Sequence, residues 1–113
     1  MPVTSQDYDR ATVLILQGEF TGDDQQTRLK EIIESAIENR HVADFIVDFS
    51  ACPFVDSQGL ESLVWLKQRC NEHFGHVRII NLDDSCRKIL QLTRLEQQFE
   101  ICSDLAAAMK HLR

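Results

Sequence analysis

Ser57 is the hydroxyl that this chain places where anion chemistry is easiest. It stands in Cys52-Pro53-Phe54-Val55-Asp56-Ser57-Gln58-Gly59. Just upstream, Phe45-Ile46-Val47-Asp48-Phe49 is a short apolar run with strand character. Pro53 has no N–H to give a ladder, so it leads the chain out of the sheet. A helical pattern starts at Asp56-Ser57. The hydroxyl therefore sits at the tip of a strand and on the first turn of a helix. Unpaired backbone N–H groups and the helix dipole favour an anion such as a phosphate there. Asp56 reads in two ways: as an N-cap, or as a group that orients the hydroxyl or helps hold a metal–nucleotide. Gly59 permits close backbone approach.

The elements needed to hold this loop can be read in order. Val3–Gln6 predicts a short edge strand, turned back by Asp7-Tyr8-Asp9-Arg10. Thr12–Gly18 is a continuous apolar run, which predicts a strand buried on both faces in the middle of the sheet. The first helix is predicted from about Asp24 to Asn39, with Leu29, Ile32, Ile33, Ala36 and Ile37 facing inward. The second runs from Ser57 to about His73. Its phase groups Leu60, Leu63, Lys67, Cys70 and Phe74 on one side, with Lys67 at the rim. Ser57, Glu61, Trp65 and Gln68 then form an outward ridge that a partner would contact through Trp65, the alternative being that this lone Trp belongs to the core.

Val77–Asn81 predicts the next strand, and Asp83-Asp84-Ser85 caps a third helix with Cys86, Ile89, Leu90 and Leu92 inward. Phe99–Ile101 is a last short strand. Ser103 is the expected cap of a last helix carrying Leu105, Ala106, Ala108, Met109 and Leu112. Strands alternating with helices predict an α/β fold with a small mixed, mostly parallel β-sheet.

Asp48-Phe49-Ser50-Ala51-Cys52-Pro53-Phe54-Val55-Asp56-Ser57-Gln58-Gly59-Leu60 resembles the signature of the STAS domain family, the sulphate-transporter and anti-sigma-factor-antagonist family. The order of elements fits it along nearly the whole chain, taken as one domain over residues 1–113. The resemblance implies helices packed mainly on one face of the sheet, and the signature loop at one end. It also implies a bacterial signalling protein of transcription regulation, an anti-sigma factor antagonist. That protein binds an anti-sigma factor/serine kinase when Ser57 is unphosphorylated, and lets go when the kinase has phosphorylated it. The loop residues Asp56, Ser57, Gln58 and Gly59, with Thr21 across from them, become partner-binding positions. A phosphatase would reset the switch. Thr21 is a departure: many antagonist-type members read Gly-Glu-apolar-Asp where this chain reads Gly18-Glu19-Phe20-Thr21. The alternative that the family offers is a cytoplasmic accessory subunit of a lipid transporter, binding its ATPase. Affinity to a stress-sensing assembly as an adaptor is a third.

Bulk composition narrows the classes further. Over 113 residues, a formal net charge of -6 and no Lys/Arg cluster argue against nucleic-acid binding. An acidic surface suits a basic protein partner. Cys52, Cys70, Cys86 and Cys102 are scattered without zinc spacing, which predicts reduced, mostly buried thiols and no metal. No cofactor is implied. Met1-Pro2-Val3-Thr4-Ser5 lacks a signal-peptide pattern and no apolar run suits a membrane span, so a cytoplasmic location without membrane insertion is expected. A serine hydrolase would need Gly at the place of Val55, and His41, His73, His76 and His111 show no triad order, so no enzymatic activity is expected.

Overall fold

The computed structural model describes residues 3–20 and 23–110. Five strands form one sheet in the order β1-β2-β3-β4-β5, each beside its neighbour in sequence. The strands are β1 (Val3–Asp7), β2 (Thr12–Gln17), β3 (Phe45–Ala51), β4 (Val77–Ile80) and β5 (Glu100–Cys102). β1 runs antiparallel to β2, and every later pairing is parallel. The parallel pairings need crossovers, supplied by α1 (Asp23–Arg40), α2 (Ser57–Glu72) and α3 (Asp84–Leu92). α4 (Leu105–Met109) follows β5.

Strand alternation divides the core in two. Leu14 and Leu16 of β2, Phe45, Val47 and Phe49 of β3, and Val77 and Ile79 of β4 join α1, α2 and α3 in the main cluster. Val13, Ile46 and Ile80 join Ala108 of α4 in a smaller one, with Leu105 and Met109 packed against it. Helices therefore cover mainly one face, as the family resemblance implied, and β2 is buried on both faces as its apolar run required. Cys52, Cys70 and Cys86 are buried, Cys102 is half-buried, and all four are free thiols. Burial pushes the thiols of Cys70 and Cys86 up to about 12.

Several expectations need correction. Phe74 does not close the apolar stripe of α2. It is 94% exposed with φ +61°, because the helix ends one residue earlier and Phe74 takes the left-handed position of the C-terminal turn. The Phe74 N–H donates to the Asn71 carbonyl (3.2 Å) and the Gly75 N–H to the Cys70 carbonyl (2.8 Å). Leu92 is likewise 76% exposed at the end of α3. There Arg94 itself takes a left-handed position, φ +62°. The buried stripe of α2 is Gly59, Ser62, Leu63, Leu66 and Cys70, leaving Leu60 only half-buried. Asp104, not Ser103, caps α4, its side chain accepting from the Ala107 N–H at 2.9 Å. Leu112 and His111 lie outside the described residues.

Candidate functional site

Two segments build the site: the end of β3 running into α2, and the end of β2. Pairing slips between them, since Ile15 faces Asp48 while Gln17 faces Ala51. That irregularity frees β3 to turn outward after Ala51. The two segments stay laced beyond the sheet. The Gly18 N–H donates to the Ala51 carbonyl (2.8 Å), the Phe20 N–H to the Phe54 carbonyl (2.8 Å), and the Asp56 N–H to the Phe20 carbonyl (3.4 Å). Phe20 and Val55 are buried beneath this lacing.

Gly59 is why the helix can start so close. A Cβ there would lie 2.4 Å from the Phe20 carbonyl oxygen and 2.5 Å from Val55 Cγ2. Asp56 is the N-cap: its backbone is extended (φ -99°) and its Oδ1 accepts from the Gly59 N–H at 2.9 Å. Ser57 is thus the first helical residue, and it is exposed. Cys52 anchors the loop from below, its thiol donating to the Phe54 carbonyl (3.3 Å) and its carbonyl accepting from the Cys86 thiol (3.4 Å).

Asp56, Ser57, Gln58 and Gly59 are therefore brought together at one helix start, with Asp56 and Gln58 half-buried and Gly59 buried. Glu61 and Gln68 are exposed further along α2. Trp65 is not the exposed anchor expected on that ridge. It is half-buried against the main core, and Lys30 Nζ of α1 lies 5.1 Å from its ring centroid. The periodicity of α2 alone did not foresee that α1 packs along this flank. Thr21 lies outside the described residues.

Phe54 was overlooked by sequence reasoning. It is 44% exposed in the loop three residues before Ser57. The aromatic position of the signature was the available signal, and a proline before it marked a segment leaving the sheet. Glu19, Asp83, Asp84 and Asp104 are also exposed at this edge of the sheet. Residues 48–58 and 80–86 contain no Lys or Arg. The described histidines lie elsewhere. His73 ends α2, 16 residues or about 24 Å from its start, and His41 and His76 flank the same far edge. None is in reach to act as a base on Ser57. No helix among the described residues is long and apolar enough to cross a membrane.

The architecture has solved counterparts. An anti-sigma factor antagonist from Mycobacterium paratuberculosis is 19% identical, matching 98% of this chain and 92% of that one with a TM-score of 0.81. The Bacillus cell fate determinant SpoIIAA in its phosphorylated form is 19% identical, over 96% and 97%, with a TM-score of 0.75. A sulfate transporter family protein from Wolinella succinogenes is 16% identical, over 89% and 83%, with a TM-score of 0.77. At such identities the likeness concerns the fold. No curated protein sequence matches the chain. The model of the STAS domain, however, matches residues 3–108, which covers all five strands and nearly all of the four helices. The chain belongs to the STAS domain family.

Proposed function

We propose that the chain is a phosphorylation-gated interaction module, an anti-sigma factor antagonist with Ser57 as its switch. The observation that carries this reading is the exposure of Ser57 at the first position of α2, on a loop with the family signature. In the unphosphorylated state the loop engages an anti-sigma factor with serine kinase activity. Phosphate on Ser57 adds about −1.5 to −2 charge at neutral pH. The positive end of the α2 dipole tolerates that charge, so the fold survives. At the contact itself the partner meets a bulky, doubly charged group that it would have to desolvate in place of a hydroxyl, on an edge where Glu19, Asp83 and Asp84 are exposed. Asp56 acts as a positioning residue by fixing where the helix, and so the hydroxyl, begins. Phe54 and the flank of Trp65 supply apolar contact area, and Gln58, Glu61 and Gln68 the polar rim.

Thr21, in place of the usual Asp, favours a second reading, in which the domain docks without phosphotransfer, as a subunit on a transporter ATPase. Affinity capture with wild type and Ser57→Asp separates the two. Under the first reading the variant melts close to wild type and loses an anti-sigma kinase partner by at least tenfold in affinity. Retention of the same partner by Ser57→Asp would count against a charge-operated gate.

A further inference from the structure

On the outer side of the sheet, two strands away from β3, a cleft of about 240 Å³ runs between β1 and α1. Two arginines of α1 line it and differ sharply in their partners. Arg40 is engaged through both Nη groups: its guanidinium reaches Asp7 Oδ1 (2.9 Å), Thr12 Oγ1 (2.9 Å) and the Tyr8 carbonyl (2.6 Å). Arg28, about three turns earlier, makes no hydrogen bond or ion pair with any described residue. Its Nε is sealed from solvent without an acceptor, so the Nη groups are the donors open to the cleft. A buried donor left unpaired is costly, and native structures seldom keep one without a reason.

Glu31 stands one turn from Arg28 in the same cleft and is also without a partner among the described residues. The two do not close on each other although their i,i+3 spacing would allow it. Asp7 is already neutralised by Arg40. What remains is one open cation and one open anion a helical turn apart. Ser35 adds a hydroxyl whose oxygen accepts from Asn39 Nδ2 at 3.2 Å, leaving its own proton to donate. Ile32 gives the cleft an apolar wall.

We propose that this cleft binds a small α-amino acid, its carboxylate on Arg28 and its ammonium on Glu31. A zwitterion matches both open charges at once, and being neutral it is not repelled by a chain of net charge -6. The volume is below the range usual for drug-sized ligands, which suits a small one. The site is independent of the Ser57 loop, so its failure would leave the switch reading untouched.

Amide NMR titration of the full chain with alanine, acetate and methylammonium at constant ionic strength tests it. Saturable shifts are expected at Ser5, Arg28, Glu31 and Ser35 with alanine, at least tenfold tighter than with either half-ligand. Arg28→Gln abolishes them. Glu31→Gln, a change at an exposed position that leaves the fold intact, reduces alanine to the level of acetate. The amide spectrum of each variant reports whether it is folded. Alanine shifts no tighter than those of acetate, or unchanged in Arg28→Gln, would mean adventitious ion binding only and overturn the proposal.

Discussion

Where the parallel strands end, helices begin, and each of α2, α3 and α4 is capped by an aspartate side chain: Asp56, Asp83 and Asp104. At the opposite edge helices end, and α1, α2 and α3 are followed by His41, Phe74 and Arg94 with φ between +56° and +62°. One edge is finished by side chains on relaxed backbone, the other by backbone in a region that costs a non-glycine residue about 1–2 kcal/mol. The capped edge has a left-handed non-glycine residue too, but it is Asn81, a type that tolerates the conformation, and its Nδ2 donates to Asp48 Oδ1 at 3.1 Å. The difference says where function and strain are kept apart. Local conformational cost gathers far from Ser57, so a charge placed on Ser57 can alter recognition without disturbing a stressed backbone.

The largest effects should come from the glycine that each edge cannot replace. A Cβ at Gly75 would fall 1.9 Å from the Ala43 carbonyl oxygen, backbone against backbone. Gly75→Ala should cost about 3 kcal/mol or more, read as a drop in urea midpoint. Gly59→Ala, whose clash is with the Phe20 carbonyl and the Val55 side chain, should cost about 2 kcal/mol. That sign opposes helix propensity, which favours Ala over Gly by about 1 kcal/mol. A stabilised Gly59→Ala would show that the loop does not depend on the lacing of Phe20 to Asp56.

Capping sets the next magnitude. Asp56→Ala should lose about 1 kcal/mol, as N-cap truncations do, while Ser57→Ala stays within about 0.5 kcal/mol. Thermal melts of the two variants decide whether neighbouring residues divide structure from signalling. Equal losses would mean that Ser57 is itself structural.

The strands, the helices and the caps of α2 and α3 were legible in the sequence because each rests on local chemistry: Thr12–Gln17 as an apolar run, Asp56 and Asp83 as acceptors before a helix. The errors share a different cause. Phe74 and Leu92 fit the inward phase of their helices, but a phase says nothing about the residue at which the helix stops. Trp65 fitted the outward phase, yet α1 lies along that flank and brings Lys30 over the ring. Asp104 took the cap from Ser103 because the helix starts one residue later. The sequence could place Ser57 at a helix start, whereas the exposure of Phe54 depends on how the loop leaves the sheet, which is a long-range outcome.

The strained edge offers a smaller test with the opposite sign. Phe74→Gly relieves a left-handed phenylalanine and exposes no new apolar surface, since that ring is already in water. The relief of about 1–2 kcal/mol is offset by the extra chain entropy of glycine, about 0.5–1 kcal/mol. A net gain of roughly 0.5 kcal/mol is expected in the melting curve. A clear loss would show that the ring is held by contacts, and the contrast between the edges would weaken.

The smallest effect belongs to the flank that joins the two edges. Arg69 of α2 reaches Glu34 of α1 through Nε to Oε1 (2.6 Å) and Nη2 to Oε2 (3.0 Å), a two-pronged pair. The hydrogen bonds from Arg69 hold the Glu34 carboxyl below its ordinary 4.5, and burial opposes them only in part. A lowered folded pKa stabilises the fold above the unfolded value, and that contribution fades as pH falls through the folded one. With 36% of the Glu34 side chain exposed, water screens the pair, so its worth is a few tenths of a kcal/mol to about 1. Glu34→Gln should therefore be slightly less stable than wild type at pH 7 and converge with it well below pH 4.5. Parallel stability curves at the two pH values would place the link between α1 and α2 in apolar packing, with the ion pair adding nothing measurable.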